Sequence, residues 1–545
     1  MVELVSRLNR DDALVMCAIL NGVTSGSGYT DNLERQRTAF SHVLSKPDGD
    51  KIDQWIKENA SAQRVTLFFQ GQLLELMRWV SRYSLPKRSD GRSFQSPETC
   101  AIFLRAAFLA SELWSKRIYA DKLQGGGDHA EALDRALGAF RKGVEEAGTA
   151  MHIGVALGRG RYLFEDFLPK RLPSFRSDFE RATGLTIEEY IACTTMLMQK
   201  ALDTPIQGYL FQSSYAQLTT FRDKFDRYLA AEAQTPEELA QGLWENFDQD
   251  GFRAIRERPI LRTPSGQFML LDPTYFLDRF TVSPLFKVLT GGRGDKKAFI
   301  AFGQAFEDYA LSILRRMYDA PGLVQRLFAN VPSENYRPAF EIDALINDGP
   351  DLVIMEAKAA FIPERALVSA PAADFLAQLR KKYAVTGDPN DREVGVAQLA
   401  KCIRAIVIDK WAGAQIDHRL LRRIYPVLVV HDDRMGSPGV GIFLNRIFRD
   451  LLGQVDSAVF IAPLTLMTIH DLENQESSHE FSLTELLAAY VADSDKGMVS
   501  LHNFMAFDKT LNRQVRPSEA LIEKSKTVMQ QLMKDLFLKT KPYVA

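Results

Sequence analysis

Two apolar, partly β-branched runs flank a polar stretch in the second half of this chain. They are Phe340-Glu341-Ile342-Asp343-Ala344-Leu345-Ile346 and Leu352-Val353-Ile354-Met355-Glu356-Ala357-Lys358, separated by Asn347-Asp348-Gly349-Pro350. The Asn/Asp/Gly cluster suits a tight reversal, so the pair predicts a β-hairpin. Alternation then sets Glu341 and Asp343 on one face of the first strand, and Glu356 with Lys358 on one face of the second. Any sheet that accepts this hairpin must also accommodate three acids and an amine.

Ionised side chains are rare in buried strands unless they are paired or hold a cation, because stripping a lone charge of water costs several kcal/mol. Acids a few Å apart repel one another, and a hard cation such as Mg²⁺, with its preference for oxygen ligands, relieves the repulsion. A lysine beside such an ion orients or deprotonates a water, or steadies the charge of a phosphate under attack. The pattern points to metal-dependent phosphodiester cleavage.

Asp343, followed by Glu356-Ala357-Lys358 at the end of the next strand, resembles the PD-(D/E)xK nuclease superfamily, the restriction-endonuclease-like fold. Two flanking helices fit the resemblance. The stretch Phe302 to Leu311 reads as an amphipathic helix ahead of the sheet, and its Glu307 matches the inward glutamate often found there. The stretch Val396 to Arg404 reads as a helix after the hairpin, where Gln398 and Lys401 match a glutamine and a basic residue carried by many members.

The resemblance implies that Asp343 and Glu356 ligate Mg²⁺ or Mn²⁺, that the carbonyl of Ala357 adds a ligand, and that Glu307 completes the shell directly or through water. Lys358 then handles the water or the scissile phosphate, and Gln398 orients Lys358 or the phosphate. Ile342 stands where the family name has proline. A literal Pro350-Asp351 does occur, but only five residues before Glu356 and on the opposite pleat, which favours Asp343 as the metal acid.

Each of these residues also has a plain structural reading. Asp343, Glu356 and Lys358 suit an internal salt bridge; Glu307 suits the dipole of a first helical turn; Gln398 and Lys401 suit a solvated helix face. The net charge of −2 gives no global attraction to a polyanion, so a basic footprint must be local. The richest stretch runs from Arg380-Lys381-Lys382 through Lys401 and Arg404 to Arg419, Arg422 and Arg423, and Lys381, Lys382, Lys401 and Arg404 are its candidate nucleic-acid contacts.

At 545 residues the chain is too long for one core. Spacing of 3–4 predicts helices over much of residues 1–255, including 67–80, 102–114, 130–147, 187–201 and 236–247. Residues 256–297 read as a small hairpin, turning at Pro264-Ser265-Gly266, and a flexible joint at Gly291 to Lys296. The nuclease-like domain spans 298–475, with further strands at 424–430 and 464–469, and 476–545 is a helical extension. The expected architecture is α+β or α/β and multidomain: a mostly helical N-terminal region, then a mixed sheet flanked by helices.

Other chemistries find little support. Gly154-Val155-Ala156-Leu157-Gly158-Arg159-Gly160-Arg161 lacks the Lys-Ser/Thr ending of a phosphate loop. His431-Asp432-Asp433 reads as a solvated loop leaving a strand. The four scattered cysteines indicate neither a zinc site nor a disulfide framework, and neither a signal peptide nor a membrane span is read, so a cytoplasmic setting is expected. The sequence thus leads to an Mg²⁺- or Mn²⁺-dependent endonuclease with DNA favoured over RNA. By resemblance it would serve prokaryotic defence against phage or foreign DNA, with the helical region meeting a trigger or protein partner and a homo-oligomer left open. An RNase with the same site, or a catalytically silent scaffold acting by protein binding, are the alternatives.

Overall fold

The computed structural model describes residues 1–25, 32–43, 46–58, 66–86, 96–118, 137, 152–203, 210–212, 222–245, 251–291, 296–319, 325–333, 340–368, 371–384, 395–436, 439–478, 481–493, 500–507 and 516–537. Helices form where the 3–4 spacing puts them: Gln70–Tyr83, Pro97–Ile118, Ile187–Asp203 and Pro236–Glu245. The helix expected over 130–147, apart from Leu137, lies outside the described residues, as do residues 292–295 of the joint.

A small sheet sits within the first 270 residues. Its strands are β1 (Leu210–Gln212), β2 (Ala233–Gln234), β3 (Ile260–Arg262) and β4 (Gln267–Leu270), in the order β1-β4-β3-β2. The expected hairpin is β3–β4, turning through Gly266 at φ 78°. β1 and β2 are too short to leave an alternating signature, and the sequence does not reveal them.

The second sheet contains β5 (Arg326–Pro332), β6 (Glu341–Asp348), β7 (Asp351–Lys358), β8 (Arg423–Val430), β9 (Phe460–Ile461) and β10 (Thr465–Thr468). Its order is β10-β8-β7-β6-β5, with β9 also on β8. β5–β6 and β6–β7 are antiparallel, whereas β8 is parallel to β7, β9 and β10. The β6–β7 turn passes through Gly349 at φ 70°, a conformation that costs glycine little.

β7 lies at the centre, covered on both faces, which explains its unbroken apolar run. Ala344, Ile346, Val353, Met355 and Val427 share a core with the long Lys296–Tyr318 helix. Leu345, Leu352, Ile354, Ile424 and Leu428 share another with the helices Val396–Val407 and Val440–Leu452. Each fully buried aliphatic residue contributes about 1.5–3 kcal/mol of transfer free energy.

The cores do not divide at residue 255. Phe164, Phe175, Tyr190 and Tyr228, from the helical region, join the core under the sheet, whereas Leu14, Leu73, Met77 and Phe103 form a separate core with Leu261 and Met269. Gly158 is explained by packing: a Cβ there would collide with the backbone of Leu521 in the C-terminal helix Glu519–Phe537. Among the described residues no helix is long and apolar enough to cross a membrane.

Candidate active site

The β6–β7 ladder runs from Asp348↔Asp351 to Ala344↔Met355. One residue further along β6, the carboxylate of Asp343 accepts the backbone N–H of Ala357 at 2.8 Å. On β7, alternation brings Lys358 over Glu356, with Nζ 2.7 Å from Oε1. Glu356 is 1% exposed, and Oε1 has no hydrogen bond of good geometry among the described residues despite this ion pair.

Glu307 arrives from the Lys296–Tyr318 helix. On that helix Glu307 shares a stripe with Ala310, Leu311 and Leu314, and this stripe faces Asp343, Ala344, Met355 and Ala357 across a gap of about 10 Å³. That volume is about the least that admits one water. The helix starts at Lys296, about three turns before Glu307, so the first-turn dipole does not account for the acid.

Burial and mutual repulsion act together here. Burial, reinforced by the charge of Asp343, lifts the Glu307 carboxyl to about 7. Burial raises Asp343 as well, against the opposing pull of Lys358 and the Ala357 N–H. Glu356 is pushed well above the carboxylate range by burial and then by Asp343. Burial works to lower Lys358, but Glu356 and Asp343 outweigh it and hold the ammonium above its ordinary value.

The donor set suits a hard divalent cation: three carboxylates in excess of one ammonium, all with oxygen donors, and a buried Glu356 oxygen with spare bonding capacity. In the conformation described these groups are engaged with one another, and among the described residues no three His, Cys, Asp or Glu side chains form a group able to hold a metal ion.

The other expected site residues come from the elements that follow β7. The Gln398 amide donates to the Glu341 carbonyl at 2.6 Å, tethering its helix to β6 two residues before Asp343. Lys401 is half-buried on the same helix, and exposed Arg404 donates to the Leu452 carbonyl at 2.7 Å. Lys381 and Lys382 are exposed just beyond the helix Ala372–Leu379. The arginine-rich end of the basic stretch is elsewhere. Arg423 grips Asp351 at 2.5 and 2.6 Å at the opposite end of β7 from Lys358, because β8 is parallel to β7 and pairs Asp351 with Arg423 and Lys358 with Val430. Asp351, the acid of the literal Pro-Asp, is thereby far along the strand from Glu356 and has its own partner.

The loop after β8 corrects the sequence reading. His431 and Asp432 are buried, not solvated, because His431 prolongs the β7–β8 pairing through its N–H to the Lys358 carbonyl at 3.2 Å. Its ring meets Phe302, Phe306 and Phe361, and burial drops its pKa to about 3. Asp432 pairs with Arg434 through two contacts of 2.8 Å, and Asp433 with Arg159 at 2.9 Å. Arg159 also forks onto Glu473 at 2.8 and 2.6 Å, and Tyr309 donates to Glu473 at 2.6 Å. This buried network ties the helical region to the sheet. Its partners are far apart in sequence, so no local motif announces it.

A cleft of about 1190 Å³ is lined in part by Ala359, the residue after Lys358, and by His431, whose N–H meets the Lys358 carbonyl. Compared with protein-family models, curated proteins and solved structures, the chain matches none.

Proposed function

We propose that the chain is a divalent-metal-dependent nuclease built on a restriction-endonuclease-like domain, with DNA as the favoured polymer. The observation that carries the reading is the buried Glu356–Lys358 pair on a central strand, with the carboxylate of Asp343 engaged on the amide between them. The element order supports it: a helix bearing Glu307, the β6–β7 hairpin, the Gln398 helix and then the parallel strand β8. Defence against foreign DNA within a prokaryotic cytoplasm, with a trigger or partner met by the helical region, belongs to the same proposal.

Asp343, Glu356, the Ala357 carbonyl and Glu307 would hold Mg²⁺ or Mn²⁺. A bound divalent ion supplies Lewis acidity and an activated water. The protein's own contribution is positional. Lys358, kept cationic by two carboxylates, balances charge developing on a phosphate in a site where little water screens it. Gln398 fixes the backbone that presents Asp343. The phosphates of the polymer would be met by Lys381, Lys382, Lys401 and Arg404.

The test is incubation of the purified chain with linear, supercoiled and single-stranded DNA and with RNA, in Mg²⁺, Mn²⁺ or EDTA, beside Glu356→Gln and Lys358→Ala. Metal-dependent cleavage lost in folded variants is the expected result, and cleavage of RNA alone would make it an RNase. A silent scaffold is the second reading, favoured by the mutual pairing of the acids and lysine. Absence of cleavage together with absence of metal binding would establish it.

A further inference from the structure

We propose that the cleft beside Lys358 binds an unpaired nucleic-acid strand, its bases stacked on Phe286 and Phe299. The inference rests on the nuclease reading and adds the form of the substrate. The cleft is lined by the segment Ala359 to Glu364 that leaves β7, by the start of the Lys296–Tyr318 helix, with Lys296, Phe299 and Ile300, and by the helices Arg253–Glu257, Pro273–Thr281 and Ser283–Gly291.

Two observations point to a base-binding ligand. Phe286 and Phe299 are 37% and 42% exposed, unusual for rings inside a concave site, and both lean on Phe361 at centroid distances of 5.3 and 6.3 Å. His431, which also lines the cleft, is 3% exposed, and neither of its ring nitrogens has a hydrogen-bond partner among the described residues. A buried imidazole left in that state suits a ligand that brings its own donor or acceptor. A base edge has both.

Charge argues against a duplex. Several arginines of the cleft are already committed: Arg159 to Glu473, Arg279 to Glu232 and Arg434 to Asp432. The cleft is therefore not a continuous phosphate track of the kind duplex backbones need, while exposed Lys296 and Lys382 remain available to steer a strand at its mouth. Stacking on aromatic rings requires base faces, and a duplex hides these in its own stack; unpaired strands present them regardless of sequence.

The experiment is fluorescence anisotropy of the full chain, in EDTA so that nothing is cut, with labelled single-stranded DNA, single-stranded RNA and duplex DNA of one sequence, and with free nucleoside triphosphates as competitors. Variants are Phe286→Ala/Phe299→Ala and Phe286→Trp/Phe299→Trp, each checked by thermal melting. Strands are expected to bind more tightly than duplex, with affinity falling about tenfold or more in the alanine pair and restored in the tryptophan pair. Wild-type affinity for strands in the folded alanine pair, preference for duplex, or binding of free nucleotides alone would overturn the assignment. Phenylalanine-dependent strand binding with neither cleavage nor metal binding in Mg²⁺ or Mn²⁺ would instead remove the nuclease reading and leave the cleft assignment standing.

Discussion

Asp343 closes the ladder between β6 and β7 with its side chain: its carboxylate accepts the Ala357 N–H at 2.8 Å, on the amide between Glu356 and Lys358. The residue is thus a backbone clamp as well as a candidate ligand. Asp343→Ala leaves that amide without its acceptor and is expected to cost about 1–3 kcal/mol of stability. Asp343→Asn keeps a side-chain oxygen for the amide and is expected to hold the fold to within about 1 kcal/mol while abolishing cleavage. Urea unfolding beside a cleavage assay separates the two roles, and equal destabilisation by both variants would remove the clamp.

Glu356 and Lys358 form a pair that is costly to break from one side. At a pH that ionises Glu356, whose carboxyl burial holds high, Lys358→Met leaves a carboxylate 1% exposed with its nearest cation gone, and is expected to destabilise the chain by about 3–5 kcal/mol. Removing the charge too, in Glu356→Gln/Lys358→Met, should recover most of that loss. Both variants should be inactive. Denaturation midpoints measure the recovery, and a double variant no more stable than Lys358→Met would show that the pair is not energetically coupled.

Glu307 sets a pH dependence whose sign can be worked out. Its carboxyl lies at about 7 in the folded chain against 4.5 ordinarily, so between these values the folded state retains a proton that the unfolded state has lost. Stability from this group therefore falls as pH rises across that window, by up to about 3 kcal/mol before solvent screening reduces it. Glu307→Gln should flatten the slope and be the more stable protein at pH 8. Melting curves taken across pH in EDTA test this; an unchanged slope would place Glu307 outside the cluster.

Legibility in the sequence followed local periodicity. The hairpin, its alternation and the Glu307 helix were readable because each repeats its pattern over several residues with a turn or polar break at the end. β5 was not: it is an edge strand, mostly half-exposed, begins at Arg326, ends at Pro332, and carries no clean alternation. His431 was misread because one residue past a strand the pattern stops, while the pairing continues through a single bond to Lys358. The cleft was invisible because residues 253–290, 296–300, 359–364 and 431–434 meet only once the chain is folded.

Removal of divalent metal distinguishes a ligating site from a structural network. A cation that binds only the folded chain stabilises it by RT ln(1 + [L]/Kd), about 2.7 kcal/mol at one hundred times Kd. The carboxylates that would hold it are pushed upward by burial and by one another, Glu307 to about 7, so the metal must displace protons to bind. Stabilisation by Mg²⁺ or Mn²⁺ should therefore be small at pH 5, grow toward pH 8, vanish in EDTA, and be absent from Asp343→Asn and Glu356→Gln. It should also oppose the decline in stability that Glu307 imposes, because the cation supplies the positive charge that the proton provides at lower pH. Melting temperatures with and without metal at the two pH values decide the matter. A shift of the same size in wild type and in both variants would mean that the cation binds elsewhere, and that Asp343, Glu356 and Lys358 hold the sheet together without holding a metal.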